Sequence, residues 1–154
     1  MAASGFAGLG YQIVWTQQAT LWLGQDMAAV LAVVAAFFGG LAAGALALGG
    51  RIARSRRARR WYAGCELAIA LWSLALMVLL PRFSAAATRL MGAQPFGPTM
   101  WLLAFAGTFL LLLPATAAMG ATLPAMERLA PATGGGATSS VAGLYAANTL
   151  GAVG

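Results

Sequence analysis

The sequence predicts an all-α protein that lies in a membrane as a bundle of helices. Of its 154 residues, 61% are hydrophobic and only 8% are charged, whereas apolar residues make up nearer half of a soluble domain. The mean hydropathy is +0.82. The apolar residues form runs of membrane-spanning length, and most charges lie between two of these runs. We therefore expect a single polytopic transmembrane domain over residues 1–154, with four full spans and a partial fifth.

The first observation behind this prediction is a basic run between the second and third apolar segments. Six of the nine arginines lie in residues 51–60. Loops rich in arginine are retained in the cytoplasm, so this run predicts a multi-pass protein of the bacterial inner membrane with a cytoplasmic N-terminus. We expect the lipid bilayer as a partner, with anionic lipids at residues 51–60. A net charge of +6 can indicate nucleic acid, but its confinement to one loop argues against that partner.

The second observation is the length of the apolar segments, with spans predicted at about 4–23, 27–50, 61–80 and 99–121. A helix rises about 1.5 Å per residue, so about 20 residues cross the hydrocarbon core. Pro81 is expected to end the third span, and Pro114 to kink the fourth near residues 110–113. The last apolar piece, residues 141–154, is too short to cross and gives the partial fifth span.

The third observation is the spacing of small and polar residues, which predicts the faces that pack. Small residues at four-residue intervals let a neighbouring helix approach closely. In the second span these are Ala32, Ala36, Gly40 and Gly44. A mixed stripe in the first span, also expected to face other helices, consists of Gly8, Gln12, Thr16 and Thr20.

A second face of the first span contains Tyr11, Trp15 and Gln18, which with Gln12 form a candidate binding site. Aromatic faces attract cations by about 0.5–2 kcal/mol, so this face could line a pocket for an amine or another polar ligand. The alternative is that these residues serve packing and interhelical hydrogen bonds. Asn148, in the last apolar piece, has the same two interpretations.

Glu66 is the one carboxylate that falls inside a predicted span. A charge at mid-membrane costs on the order of 2–3 kcal/mol, so a partner is expected. We predict an ion pair or hydrogen bond with Arg51 or Arg54, which would hold the second and third helices together. The alternative is a carboxylate coupled to proton or cation movement.

The composition offers few residues that could act in catalysis or bind a metal ion. The chain has no histidine, one cysteine and three acidic residues, so neither a metal site nor an acid–base or nucleophilic set is expected. Gly134–Gly136 lack the strand and the following lysine of a phosphate-binding loop. The sequence therefore predicts no cofactor and no catalysis by this chain alone.

Several motifs together resemble the membrane domain of bacterial spermidine synthase-like proteins. They are SGFAGLGYQIVWT at residues 4–16, FGGLAAG at 38–44 with GRIA at 50–53, LPAT and MGATLP between 113 and 124, and LYAANTLGA at 144–152. In that family a helical membrane domain precedes a cytoplasmic aminopropyltransferase-like domain, which this chain does not contain. Residues 44–57 also resemble the loop between helices two and three of major facilitator transporters, without its aspartate.

The resemblance implies a non-catalytic membrane domain that serves as an anchor and as a binding or transport module for a polyamine-like molecule. The alternative function is a small transporter-like or accessory subunit that packs into a larger membrane complex. Other membrane or cytoplasmic subunits are expected as partners in either case.

Overall fold

The described part of the chain is helical apart from short turns at residues 55–57 and 128–129. The computed structural model describes residues 2–23, 26–91, 97–129, 143, 146–147 and 149–151. In chain order the helices are α1 (Ala2–Leu23), α2 (Asp26–Arg54), α3 (Ala58–Met91), α4 (Gly97–Leu102) and α5 (Thr108–Glu127). A π-helical turn, Leu103–Gly107, joins α4 to α5. The predicted all-α class is confirmed.

Among the described residues, three helices are long and apolar enough to cross a membrane, namely Met27–Arg54, Ala58–Leu90 and Phe105–Glu127. The first two contain the predicted second and third spans, and the last overlaps the predicted fourth span from residue 105 onward. The first predicted span is also helical, but α1 is not among these three helices. Of the predicted partial span over 141–154, only residues 143, 146–147 and 149–151 are described, and they are helical. The count of four spans and a partial fifth stays a prediction.

The basic run is mostly helical, which differs from the loop expected over residues 51–60. Helix α2 continues to Arg54 and α3 begins at Ala58, so only residues 55–57 form the connection. The Ser55 amide donates to the Ile52 carbonyl oxygen at 3.0 Å, and the Arg57 amide donates to Ser55 Oγ at 3.1 Å. The run is therefore a tight turn between two helices whose ends carry arginines.

Proline does not end the third helix, and that expectation is wrong. Helix α3 continues through Pro81 to Met91. Proline deprives a helix of one backbone hydrogen bond, but helices in membranes tolerate this loss when neighbouring groups compensate for it. Similarly, α5 is α-helical through Pro114, where a kink was expected. The departure from α geometry lies earlier, in the π-helical turn, a form that occurs as single turns within helices.

Helix α5 lies at the centre of the bundle, between α2 and α3, while α1 packs mainly along α2. Helices α2 and α3 scarcely touch each other. The α2–α5 approach is close because a Cβ atom at Gly44 would collide with the Ala117 carbonyl oxygen, and one at Gly120 with that of Leu41. The small-residue face predicted for the second span is confirmed as the close-packing surface.

The core consists largely of small side chains, with a few large ones at the helix contacts. Most buried apolar residues are alanines, and the largest buried side chains include Ile52, Leu76 and Leu112. A hydrogen bond adds to the α3–α5 contact, since Trp72 Nε1 donates to the Leu111 carbonyl oxygen at 2.8 Å. Close packing by small residues and interhelical hydrogen bonds are the interactions that hold helices together in lipid.

Candidate functional site

A cleft of about 760 Å³ lies between α1 and α3. Its volume falls in the range of about 300–1,000 Å³ that is usual for small-molecule sites. Helix α1 contributes Tyr11, Val14, Trp15 and Gln18 to its wall, among others. Helix α3 contributes Ala70, Ser73, Met77 and Leu80, among others. The wall is thus mainly apolar, with a small number of polar groups.

Two stacked aromatic rings form part of the α1 wall. The ring centroids of Tyr11 and Trp15 are 5.4 Å apart and their planes differ by 15°. Trp15 is anchored in the core and is only 3% exposed, whereas Tyr11 is half-buried. The stack presents an aromatic surface to the cleft and holds it in one orientation.

Among the other predicted binding residues of α1, Gln18 lines the cleft and Gln12 does not. Gln12 belongs to the small and polar stripe of α1. At Gly8, in the same stripe, a Cβ atom would lie 3.9 Å from Phe37 Cζ of α2. The hydroxyl of Thr16 donates to the Gln12 carbonyl oxygen at 2.8 Å. The stripe therefore faces α2, as expected for a packing surface. Asn148 lies outside the described residues.

Ser73 is a polar residue of the cleft that the sequence analysis did not single out. Its Oγ atom is buried and has no hydrogen-bond partner, although a serine hydroxyl can both donate and accept. In a helix, residues 66, 70, 73 and 77 follow one another along a single face. The seven-residue interval between Glu66 and Ser73 was the signal in the sequence that could have identified it.

Glu66 lies on this same face of α3, one turn before the cleft residue Ala70. Its Oε1 atom is buried without a hydrogen-bond partner, and the group in hydrogen-bonding reach of the carboxylate is the Tyr62 hydroxyl. Arg54 instead donates from Nε to the Gly50 carbonyl oxygen at 3.0 Å. The structure therefore does not bring Glu66 together with Arg51 or Arg54, because α5 keeps α2 and α3 apart.

The arrangement is suited to recognising a ligand. An aromatic stack, an amide and a hydroxyl line the cleft, and the Glu66 carboxylate lies two turns before Ser73 on the same face of α3. Such groups can interact with cationic groups through ring faces and hydrogen bonds. Among the described residues, no group of three or more His, Cys, Asp or Glu side chains is placed to hold a metal ion.

In the residues that the structure describes, the fold and the cleft define an α-helical protein with three helices of membrane-spanning length and a partly polar cavity between two helices. No family model, curated protein or solved structure matches the chain.

Proposed function

We propose that this chain is a non-catalytic membrane domain that binds an amine-bearing, polyamine-like molecule in the cleft between α1 and α3. The observation that carries the proposal is the pair of unpartnered polar atoms on one face of α3, Ser73 Oγ and Glu66 Oε1. Ser73 lines the cleft opposite the Tyr11–Trp15 stack of α1, whereas Glu66 lies two turns before it on the same face of α3 and is not part of the cleft wall. Seven residues rise about 10 Å along a helix, so two ammonium groups of one polyamine would supply the hydrogen-bond donors that the two oxygens lack.

The energetics favour a cation as the ligand. A carboxylate in a membrane segment is expensive and usually faces a functional partner rather than lipid. A bound ammonium group would offset that cost with a charge-assisted hydrogen bond, and the aromatic stack would add a cation–π attraction. The methylene groups of an amphipathic amine match the apolar side chains that form the rest of the wall.

The proposal includes the topology and setting predicted from the sequence. The chain would form four full spans and a partial fifth in the bacterial inner membrane, with a cytoplasmic N-terminus and α1 as the first span. Support comes from the burial of Trp15 and Ala19 of α1 in the core with residues of α2, α3 and α5. A fluorescent protein that matures only in the cytoplasm, fused to the N-terminus, should be bright; a dark fusion would contradict the orientation.

Within a spermidine synthase-like protein, this domain would act as the anchor and as a module that binds or transports the amine. This assignment is supported by the ordered motifs between residues 4 and 152 and by the cation-binding character of the cleft. Sequencing the reading frame beyond Gly154 tests it, because an aminopropyltransferase-like domain is expected to follow.

Equilibrium dialysis of the purified chain in non-ionic detergent tests the binding proposal, with labelled spermidine as the probe. Spermidine should bind saturably and 1,8-octanediol, a neutral molecule of similar length, should not compete. Replacing Glu66 by Gln removes a charge-assisted interaction of about 1.5–3 kcal/mol, so the Kd should rise at least about tenfold. Ser73→Ala removes a hydrogen bond to a charged donor of about 1.5–3 kcal/mol and should likewise raise the Kd at least about tenfold.

Two matched substitutions control for general effects. Glu127→Gln removes an exposed carboxylate of α5, and Ser84→Ala removes a hydroxyl of α3 that does not line the cleft. Both should leave the Kd within twofold of the unaltered chain. Equal losses of spermidine affinity in Glu66→Gln and Glu127→Gln would show that the amine is attracted by the overall charge of the protein. The proposal of a binding site in the cleft would then be wrong.

A second function, an accessory subunit that docks into a larger membrane complex, is favoured by Gln17. This residue is exposed on α1 among the exposed apolar side chains of Ile13, Val14 and Leu21, and a polar amide facing lipid lacks hydrogen-bond partners. A photo-crosslinking amino acid at position 17 in native membranes should then label a protein. Labelling of lipid alone would exclude docking through this face.

A further inference from the structure

A second cavity, separate from the α1–α3 cleft, opens beside the turn between α2 and α3. This groove has a volume of about 480 Å³ and is bounded by α2, α3, α5 and the turn. Its mouth carries Ser55, Arg57, Arg60 and Trp61. Further in, small and apolar residues form the walls, including Gly64, Ala68, Pro114 and Ala117. The groove is thus cationic at one end and apolar along its length.

Only two of the six arginines in the basic run line this groove. Arg57 and Arg60 do so and Arg56 and Arg59 do not, although all four are exposed. The turn that positions the two arginines is fixed by hydrogen bonds. The Arg57 amide donates to Ser55 Oγ at 3.1 Å, and the Arg60 amide donates to the Arg57 carbonyl oxygen at 3.0 Å.

Helix α5 also holds the turn in place from its C-terminal end. Arg128 donates from Nη2 to the Ser55 carbonyl oxygen at 3.3 Å. The mouth is therefore pre-organised by three connected elements, which reduces the ordering cost of binding. The absence of large side chains at Gly64, Ala68 and Ala117 keeps the space between α3 and α5 open.

We propose that this groove binds one anionic membrane phospholipid, with its phosphate at Arg57 and Arg60 and an acyl chain along the apolar wall. Guanidinium groups bind phosphate through charge-assisted hydrogen bonds in a fixed fork geometry. Trp61 stands at the mouth, where indole rings favour the level of lipid headgroups. This charge pattern excludes a cationic ligand and is independent of the amine proposed for the cleft.

Lipid selectivity is the first test, measured on the full chain by native mass spectrometry after titration with phosphatidylglycerol or phosphatidylcholine in detergent. Phosphatidylglycerol should be retained at least tenfold more strongly than phosphatidylcholine. Near a membrane surface each arginine contributes about 1 kcal/mol to binding of anionic lipid, so Arg57→Gln with Arg60→Gln should weaken retention about thirtyfold. Arg56→Gln with Arg59→Gln removes equal charge from the same run and should change the retention of phosphatidylglycerol less than threefold.

A substitution at Gly64 tests the apolar part of the groove without altering its charge. Gly64 lines the groove and a Cβ atom there meets nothing within 4 Å, so Gly64→Leu adds to the groove wall a side chain that starts in open space. Retention of phosphatidylglycerol should fall at least tenfold. Ala63→Leu, at an exposed neighbour that does not line the groove, should leave retention unchanged.

The single cysteine provides a second measurement on the unaltered chain. Cys65 lines the groove, is only 6% exposed and is the one cysteine of the sequence, so its slow modification by a small thiol reagent reports access through the groove. Phosphatidylglycerol should slow this modification several-fold. Glycerol phosphate, which has the headgroup chemistry without an acyl chain, should neither slow it nor displace the lipid.

Three results would overturn the proposal. Equal losses in the two arginine pairs would show general electrostatic attraction, and undiminished retention in Gly64→Leu would show that no chain enters the groove. Protection of Cys65 by glycerol phosphate alone would identify a site for soluble phosphate. Far-UV circular dichroism of each variant shows whether it is folded, and the Cys65 measurement needs no variant.

Discussion

Substitution of Gly44 by alanine tests the close contact on which the bundle is built. A methyl group at this position would overlap the Ala117 carbonyl oxygen, which belongs to the backbone of α5. No side-chain rotation can relieve that overlap, so α2 and α5 must separate along their contact. Overpacking of this kind costs about 1–3 kcal/mol. Alanine in a helix gains about 0.5–1 kcal/mol over glycine, so the net loss should be about 0–2.5 kcal/mol.

Gly64→Ala is the matched control, because it makes the same chemical change in a helix without a neighbouring atom. It should keep the gain in helix propensity of alanine over glycine and stabilise the protein by about 0.5–1 kcal/mol. The free energy of unfolding is measured by titrating the purified chain in mild detergent with sodium dodecyl sulfate and following circular dichroism. If Gly44→Ala is as stable as Gly64→Ala, the α2–α5 approach is looser than the structure has it, and the reasoning fails.

Two further predictions concern the contacts of α3. Trp72→Phe should lower the free energy of unfolding by about 0.5–1.5 kcal/mol, because it removes the hydrogen bond to Leu111. Trp101→Phe, at an exposed position, should have a smaller effect. Equal effects of the two substitutions would contradict a stabilising role for the Trp72–Leu111 hydrogen bond. Leu76→Ala should cost about 2–5 kcal/mol, since Leu76 is 1% exposed and its loss leaves a cavity. Leu71→Ala, at a residue that is 58% exposed, should cost under about 0.5 kcal/mol, and the same sodium dodecyl sulfate titration measures all four variants.

The parts of the fold that follow from local spacing were predictable. Apolar length located the three long helices, and the interval of four residues identified Ala32, Ala36, Gly40 and Gly44 as a packing face. Helical periodicity also placed Tyr11, Trp15 and Gln18 on one surface, which in the structure borders the cleft. Such patterns depend only on the geometry of a single helix.

Features that depend on the arrangement of several helices were not predictable in this way. Pro81 lies inside a continuous helix because a membrane helix can tolerate a missing backbone hydrogen bond. The partner expected for Glu66 depends on the distance between α2 and α3, and that distance is set by α5, which lies far away in sequence. Likewise, the assignment of Arg57 and Arg60 to a groove requires knowing where Pro114 and Ala117 pack.

Helix α3 links the two proposed sites, since one of its faces borders the cleft and another borders the groove. Ala70 and Ser73 line the cleft, whereas Gly64 and Ala68 line the groove. Among the three long helices, α3 is the least buried and α5 the most. Side chains at the two α3 cavities therefore carry less of the packing energy than those of α5. Apart from Leu76, a buried core residue that also borders the cleft, substitutions there should change ligand binding more than stability, whereas substitutions in the buried face of α5 should do the reverse.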